Sequence, residues 1–109
     1  MRKSTIKSVD VKNVVAVFMN VFNENNKCSR DSYDRPTATV NISTSEFNQL
    51  SSELISRING LTVLRDDNYI VTYKYYDCEV NMEYIAHTSG TMLTFTKLSY
   101  LGDIRDFDD

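Results

Sequence analysis

The stretch Ile42-Ser43-Thr44-Ser45-Glu46-Phe47, followed downstream by Gly60-Leu61, marks both ends of one helix. Ser43 fits the N-cap position, and Glu46 can complete a capping box with it. Gly60 suits the left-handed position that follows a helix C-terminus. Between these signals, apolar residues recur at helical spacing, which predicts a helix over residues 44–59. Its apolar face consists of Phe47, Leu50, Leu54, Ile55 and Ile58.

A second apolar stripe at helical spacing lies near the start of the chain and predicts a helix that ends near residue 22. Asp10 can cap this helix, with Val9 and Val14 as the hydrophobic pair that brackets the cap. The polar run 23–26 contains three asparagines, which tolerate the left-handed conformation that ends many helices. The apolar face consists of Val11, Val14, Val15, Phe18, Val21 and Phe22.

The apolar pattern changes after Gly60 from a helical period to strict alternation, which is typical of strands. Alternation over 61–64, 69–76, 79–87 and 91–101, with turn residues between these runs, predicts an antiparallel meander. One further strand is predicted at 37–42, directly before the capped helix, after a polar loop at 27–36. The alternation slips in the last strand, which indicates a bulge near Lys97.

These elements predict an α+β fold, in which two helices pack on an antiparallel meander of about four to five strands as a two-layer sandwich. The chain has 109 residues, 41% of them hydrophobic and 25% charged, values that are typical of one globular domain. We therefore expect a single domain over 1–109, with the polar loop at 27–36 and a mobile acidic tail at 103–109.

Several classes of protein are disfavoured by the residues present. No apolar run is long enough for a membrane span, and no apolar segment of a signal peptide follows the basic N-terminus, so a cytoplasmic setting is expected. Cys28, Cys78 and the single histidine, His87, are too few for a structural zinc site. Cys78 and His87 fall at opposite ends of one predicted strand, too far apart to act as a pair. We expect no enzyme activity, metal or cofactor.

The net charge of −3 is unevenly distributed. Basic residues concentrate in the N-terminal arm and the polar loop, which supports an alternative hypothesis of nucleic-acid binding. The residues concerned are Arg2, Lys3, Lys7, Lys12, Arg30 and Arg35. Nucleic acid is nevertheless the less favoured partner, because the tyrosine-rich strands carry more acidic than basic residues.

Seven tyrosines in a chain without tryptophan form the pattern most suggestive of function, and five of them fall on two adjacent predicted strands. Tyrosine is enriched in interfaces because it buries a large area and keeps a polar tip. Cross-strand packing inside the protein is the alternative explanation. The predicted protein-binding residues are Tyr73, Tyr75, Asp77, Glu79, Tyr84 and, in the tail, Phe107.

The favoured hypothesis is a small non-enzymatic protein that binds and inhibits a host protein through this tyrosine-rich acidic surface. Few Gly and Pro residues beside many Asn, Lys, Ile and Tyr residues are typical of AT-rich genomes, including those of many bacteriophages. A phage or mobile-element accessory protein in the cytoplasm of a host cell is therefore expected. A structural homo-oligomer, paired through an edge strand or the tyrosine face, is a further alternative.

Overall fold

The computed structural model describes residues 8–43, 47–88 and 90–100, with two helices and one six-stranded antiparallel sheet. The α+β class predicted from the sequence is confirmed, with six strands instead of four to five. In chain order the elements are α1 (Ser8–Phe22), β1 (Ser29–Arg30), β2 (Pro36–Ile42), α2 (Phe47–Arg57), β3 (Thr62–Asp67), β4 (Ile70–Tyr75), β5 (Cys78–His87) and β6 (Gly90–Tyr100).

The strand order in the sheet is β1-β2-β6-β5-β4-β3. β3 to β6 form the predicted meander, and β2 pairs with β6, the last strand of that meander. The chain therefore leaves β2, passes through α2 and enters β3 at the opposite edge of the sheet. β1 lies within the segment predicted as a polar loop, where Ser29 and Arg30 pair with Thr37 and Pro36, so that prediction was wrong at these residues.

Apolar residues of both helices and of one sheet face form the core. On α1, Val11, Val14, Phe18 and Val21 are fully buried, as the spacing predicts. The sheet residues in the same buried cluster lie on one sheet face and are Val71, Tyr73, Val80, Met82, Leu93 and Phe95. Of the described helices, neither has the length and apolar composition needed to cross a membrane.

The start of α1 differs from the prediction. Asp10 lies inside the first turn, and its carboxylate accepts hydrogen bonds from the backbone N–H and the hydroxyl of Ser43, at 3.3 and 2.5 Å. Val9 is 66% exposed, so it does not form a buried pair with Val14. Asp10 therefore links α1 to the end of β2. Residues 44–46 and the side chain of Phe47 lie outside the described part of the chain, and so does the predicted capping box.

Both helices end with a residue in the left-handed conformation, as expected, but in α1 this residue is Glu24 and not an asparagine. At the end of α1, Glu24 takes the left-handed conformation (φ 55°), where an asparagine was expected. Its N–H donates to the Val21 carbonyl and that of Asn25 to the Asn20 carbonyl, the two bonds of a Schellman motif. After α2, Gly60 has φ 91°, as predicted. Ile55, predicted on the apolar face of α2, is 41% exposed.

The irregularity predicted near Lys97 is confirmed. Val80 pairs with Lys97, whereas Cys78 pairs with Tyr100, so β6 has one extra residue opposite this part of β5. Lys97 precedes the extra residue and alternates in phase with Leu93 and Phe95, so it lies on the same sheet face as they do, where it is 9% exposed. A second bulge lies on β3 between Val63 and Arg65.

Candidate functional site

The tyrosine predicted at the centre of the binding surface lies in the core. Tyr73 is fully buried, and its hydroxyl hydrogen-bonds with the Ser51 hydroxyl of α2 at 3.1 Å. Burial raises the pKa of Tyr73 to about 12, which keeps the phenol neutral. Tyr73 faces the helices because the hydrophobic residues at alternate positions of β4 share that face. It is therefore not available to a partner in this structure.

The other predicted contact residues do not form one surface. Glu79 is 8% exposed and pairs with Arg65 at 3.2 Å, on the sheet face away from the helices. Tyr84 is half-buried at the opposite end of the β4–β5 hairpin, where its ring lies 5.8 Å from that of Tyr69. Asp77 is exposed in the turn between these strands. Phe107 lies outside the described residues.

The two loop arginines of the nucleic-acid hypothesis, Arg30 and Arg35, form ion pairs with neighbouring carboxylates. Arg30 pairs with Glu24 at 3.4 Å, and Arg35 pairs with Asp31 at 2.9 Å. A phosphate would have to displace these acidic partners. Lys12 is exposed on α1, and Arg2, Lys3 and Lys7 lie outside the described residues. The described part of the chain therefore does not assemble a basic groove from the arginines of the loop.

The tip of the β4–β5 hairpin has the most unusual backbone among the exposed aromatic residues. Tyr75 pairs with Cys78, which leaves Tyr76 and Asp77 as a two-residue turn. Tyr76 has φ 56° and is 71% exposed. A left-handed conformation is disfavoured for a bulky aromatic residue, since its Cβ approaches the following carbonyl oxygen.

The aromatic rings of Tyr75 and Phe22 pack against Tyr76 at this tip. The Tyr75 ring lies 4.7 Å from Tyr76 and 4.7 Å from Phe22, in edge-to-face arrangements, and 5.7 Å from the buried Phe18. Tyr76 itself lies 6.1 Å from Phe22. The exposed Tyr76 ring is therefore the outermost member of a cluster of aromatic rings that starts at Phe18 in the core. We call Tyr75, Tyr76 and Asp77 the hairpin tip.

A groove runs beside the hairpin tip, between the C-terminal end of α2 and the end of β4. Its volume is about 470 Å³. The two tyrosine rings give it an apolar wall, and side-chain amide, hydroxyl and ammonium groups give it polar contacts. Such a groove is large enough for one or two side chains of another molecule. Its lining consists of Asn59, Gly60, Thr62, Lys74, Tyr75 and Tyr76.

The candidate catalytic groups are separated. Cys78 and His87 are the first and last residues of β5, and burial raises the pKa of the Cys78 thiol, which disfavours the nucleophilic thiolate. Within residues 8–43, 47–88 and 90–100, no three His, Cys, Asp or Glu side chains lie together in a way that could hold a metal ion.

The sequence places Tyr76 in the tyrosine cluster but does not distinguish it as a contact residue. In the sequence, a Tyr-Asp pair between two runs of alternating residues indicates a tight turn. The left-handed backbone was not predictable, because glycine or asparagine normally occupies such a position. The chain matches no protein-family model, and it has no significant match among curated proteins or solved structures.

Proposed function

We propose that this protein is a non-enzymatic binding module whose hairpin tip contacts a protein partner. The observation that supports the proposal is the combination of exposure and left-handed backbone at Tyr76. A residue kept in an unfavourable conformation, with its large side chain in solvent, costs stability on the order of 1 kcal/mol. Glycine or asparagine would remove that cost, so a contact made by the ring is the function we assign to it.

The chemistry of the tip suggests which partner group it receives. Asp77 is exposed beside the two tyrosine rings, and no ion pair reaches it from the described residues. An arginine side chain would stack on a tyrosine ring and pair with Asp77 at the same time. We therefore propose a protein partner that presents an arginine to the hairpin tip, with an adjacent side chain entering the groove.

The biological setting is part of the proposal. The amino-acid usage that suggests a bacteriophage or mobile element makes a host protein the partner class we favour, and inhibition of that host protein the proposed outcome. Tyr75 and Asp77 remain from the surface predicted from the sequence, and Tyr76 is added. The proposed contact surface leaves out three residues predicted from the sequence. Tyr73 lies in the core, Glu79 forms an ion pair with Arg65, and Tyr84 lies at the other end of the hairpin.

The finer architecture predicted from the sequence, a two-layer sandwich, belongs to the same proposal. α1 contacts β2 and β6, and Ser51 of α2 hydrogen-bonds with Tyr73 of β4. Both observations support helices that share one side of the sheet. In that arrangement the helix layer supports the hairpin tip from one side through Phe22.

The experiment is an affinity pull-down from a nuclease-treated bacterial lysate with three versions of the tagged protein. The variant is Tyr76→Asn, which removes the ring and suits the left-handed backbone. The matched control is Tyr33→Asn, which removes a 77% exposed tyrosine from the loop between β1 and β2. We expect a stoichiometric protein that the wild type and the control retain and that Tyr76→Asn loses. Equal recovery by all three, or recovery of nucleic acid alone from an untreated lysate, would contradict the proposal.

A further inference from the structure

Lys74 is the one charged residue among the described residues that line the groove beside the hairpin tip. Glu79 stands directly opposite Lys74 in the register of β4 and β5, which is the usual position for a neutralising carboxylate. Glu79 pairs instead with Arg65, at 3.2 Å. Within the described part of the chain, no carboxylate forms an ion pair with Lys74, so its positive charge is uncompensated there.

The bulge in β3 is the reason for this choice of partner. Arg65 pairs with Thr72, and one residue of β3, Leu64, has no partner on β4. Because Thr72 and Lys74 are two positions apart on one strand, Arg65 lies on the same sheet face as Lys74. Without the extra residue, Leu64 would stand opposite Thr72, and Glu79 would have Lys74 as its neighbouring cation.

Two uncharged polar residues line the same groove from other elements. Asn59 lies in the turn after α2, and Thr62 begins β3 directly opposite Lys74. A carboxamide N–H and a hydroxyl both donate to a carboxylate, as an ammonium group does. Gly60 leaves the groove open between them, since even a Cβ at this position would lie only 3.9 Å from the Tyr75 ring. The groove therefore offers three kinds of donor beside an aromatic wall.

The groove and the hairpin tip present charges of opposite sign. Lys74 is exposed at the end of β4, and Asp77 is exposed in the turn that follows. About two residues of strand separate them, a distance of about 7 Å. A nucleic-acid phosphate would be attracted to Lys74 and repelled by Asp77. A protein segment that carries one cation and one anion meets each with the opposite charge.

We propose that the partner presents a carboxylate side chain to the groove, two residues from the arginine that contacts the hairpin tip. Side chains two residues apart in an extended segment point the same way and lie about 7 Å apart, which matches the site. The arginine stacks on Tyr76 and pairs with Asp77. The carboxylate accepts hydrogen bonds from Lys74, with Asn59 and Thr62 beside it. The partner segment is therefore arginine, any residue, and then aspartate or glutamate, in either chain direction.

This inference rests on the proposed function, because it assigns the second side chain of the segment whose arginine contacts the hairpin tip. The two can nevertheless fail separately. The arginine contact depends on Tyr76 and Asp77, whereas the carboxylate contact depends on Lys74. A probe that keeps the arginine and changes only the carboxylate therefore distinguishes them.

NMR titration of the isotopically labelled full chain with short peptides provides the test. The probes are acetyl-Ala-Arg-Ala-Glu-Ala-amide and acetyl-Ala-Glu-Ala-Arg-Ala-amide, each compared with the peptide in which glutamine replaces glutamate. We expect the amide signals of residues 59–62 and 74–77 to shift. For one of the two chain directions, the glutamate peptide should bind about threefold more tightly than its glutamine counterpart.

Lys74→Gln is expected to abolish this preference for glutamate and to leave affinity for the glutamine peptide within about twofold. The matched control is Lys12→Gln, which removes the same charge from the first turns of α1, roughly 15 Å from Phe22 beside the tip. In this control the preference should remain. Equal binding of both peptides by the wild type, or a preference that persists in Lys74→Gln, would overturn the carboxylate contact and leave the arginine contact standing. If neither peptide shifts the signals of the hairpin tip, the arginine contact is contradicted, and this inference with it.

Discussion

Lys97 on the sheet terminates helix α1 by donating a hydrogen bond from Nζ to the Phe22 carbonyl oxygen at 2.9 Å. The last carbonyls of a helix have no partner within the helix, and the helix dipole favours a cation at this end. The same ammonium group pairs with Glu24 at 2.8 Å and lies 4.9 Å from the centre of the Phe22 ring. One lysine therefore joins α1 to β6 through three contacts.

Replacing Lys97 with methionine should destabilise the protein by about 2 kcal/mol, because a part-buried hydrogen bond from a charged donor to a helix-terminal carbonyl is lost. Urea unfolding followed by circular dichroism measures the change. The matched control is Lys74→Met on β4, where the lysine is exposed and the expected change is within about 0.5 kcal/mol. Equal effects of the two substitutions would show that Lys97 does not hold the end of α1.

The Lys97–Glu24 pair also predicts a dependence of stability on pH. The hydrogen bond from Lys97 lowers the pKa of Glu24 below its ordinary value of 4.5, against the opposing effect of burial. A group whose pKa is lower in the folded state contributes stability above its unfolded pKa, and this contribution is lost as pH falls through the folded pKa. The free energy of unfolding should therefore decline below about pH 4.5.

Glu24→Gln should reduce that decline, since glutamine carries no proton that folding displaces. Urea unfolding of both proteins between pH 3 and pH 7 tests it. A variant curve that stays parallel to the wild-type curve over this range would rule out Glu24 as the source. The expected difference is modest, because the Glu24 side chain is 41% exposed and solvent screens the pair.

The local elements were predictable because their signals are local. Alternation located β4, β5 and β6, and the slip in that alternation located the bulge at Lys97. The position of β2 beside β6 was not predictable, because strand order depends on contacts between residues far apart in the chain. Asp10 shows the same limit: its position suggests a cap, but its carboxylate bonds to Ser43, which is distant in sequence.

The site was less predictable than the fold. Tyr73 and Tyr75 alternate with Lys74, which indicates that the tyrosines share a face but not which face the helices cover. Because Tyr73 faces the helices, it is buried and stabilises the core instead of contacting a partner. Glu79 was predicted as a contact residue, yet it pairs with Arg65 of the edge strand, and the bulge in β3 is what places Arg65 on the same sheet face as Glu79.

Gly90 begins β6 at a point where no other residue fits. Its φ of 149° is rarely adopted by residues with a side chain, and a Cβ there would overlap the Ile42 carbonyl oxygen of β2. Gly90→Ala should therefore destabilise the protein by more than about 2 kcal/mol, through strain and through separation of β2 from β6. Thermal unfolding measures it.

Gly60→Ala provides the comparison for Gly90→Ala. Gly60 has φ 91°, so alanine is strained there as well, but the nearest atom to an added Cβ is in the Tyr75 ring at 3.9 Å. We expect a cost of about 1 kcal/mol, which reflects backbone conformation alone. If Gly90→Ala were as mild as Gly60→Ala, the close approach of Gly90 to β2 would not be a constraint in solution.

Tyr73 and Ser51 form a buried polar pair that a double-mutant cycle can resolve. Tyr73→Phe removes the hydroxyl and leaves Ser51, 8% exposed, without that partner, so we expect a loss of about 1 kcal/mol. Ser51→Ala should cost a similar amount, because it leaves the Tyr73 hydroxyl unsatisfied. The double variant should be less destabilised than the sum of the two single variants, since neither polar group is then left alone. Additive losses would show that the two hydroxyls do not interact.

The same tyrosine predicts how the protein behaves in alkali. Burial raises the pKa of Tyr73 from 10.0 to about 12, so the folded state holds a proton that the unfolded state releases. The resulting stabilisation is present below pH 10 and is lost as pH rises towards 12. The free energy of unfolding should fall over this range in the wild type and fall less in Tyr73→Phe. An absorbance titration of tyrosinate on the folded protein provides the direct measurement: fewer tyrosines should ionise near pH 10 in the folded wild type than in the unfolded chain, because burial raises the pKa of Tyr73 and also that of Tyr75. Ionisation of every tyrosine near pH 10 without unfolding would place Tyr73 in contact with solvent, which this structure contradicts.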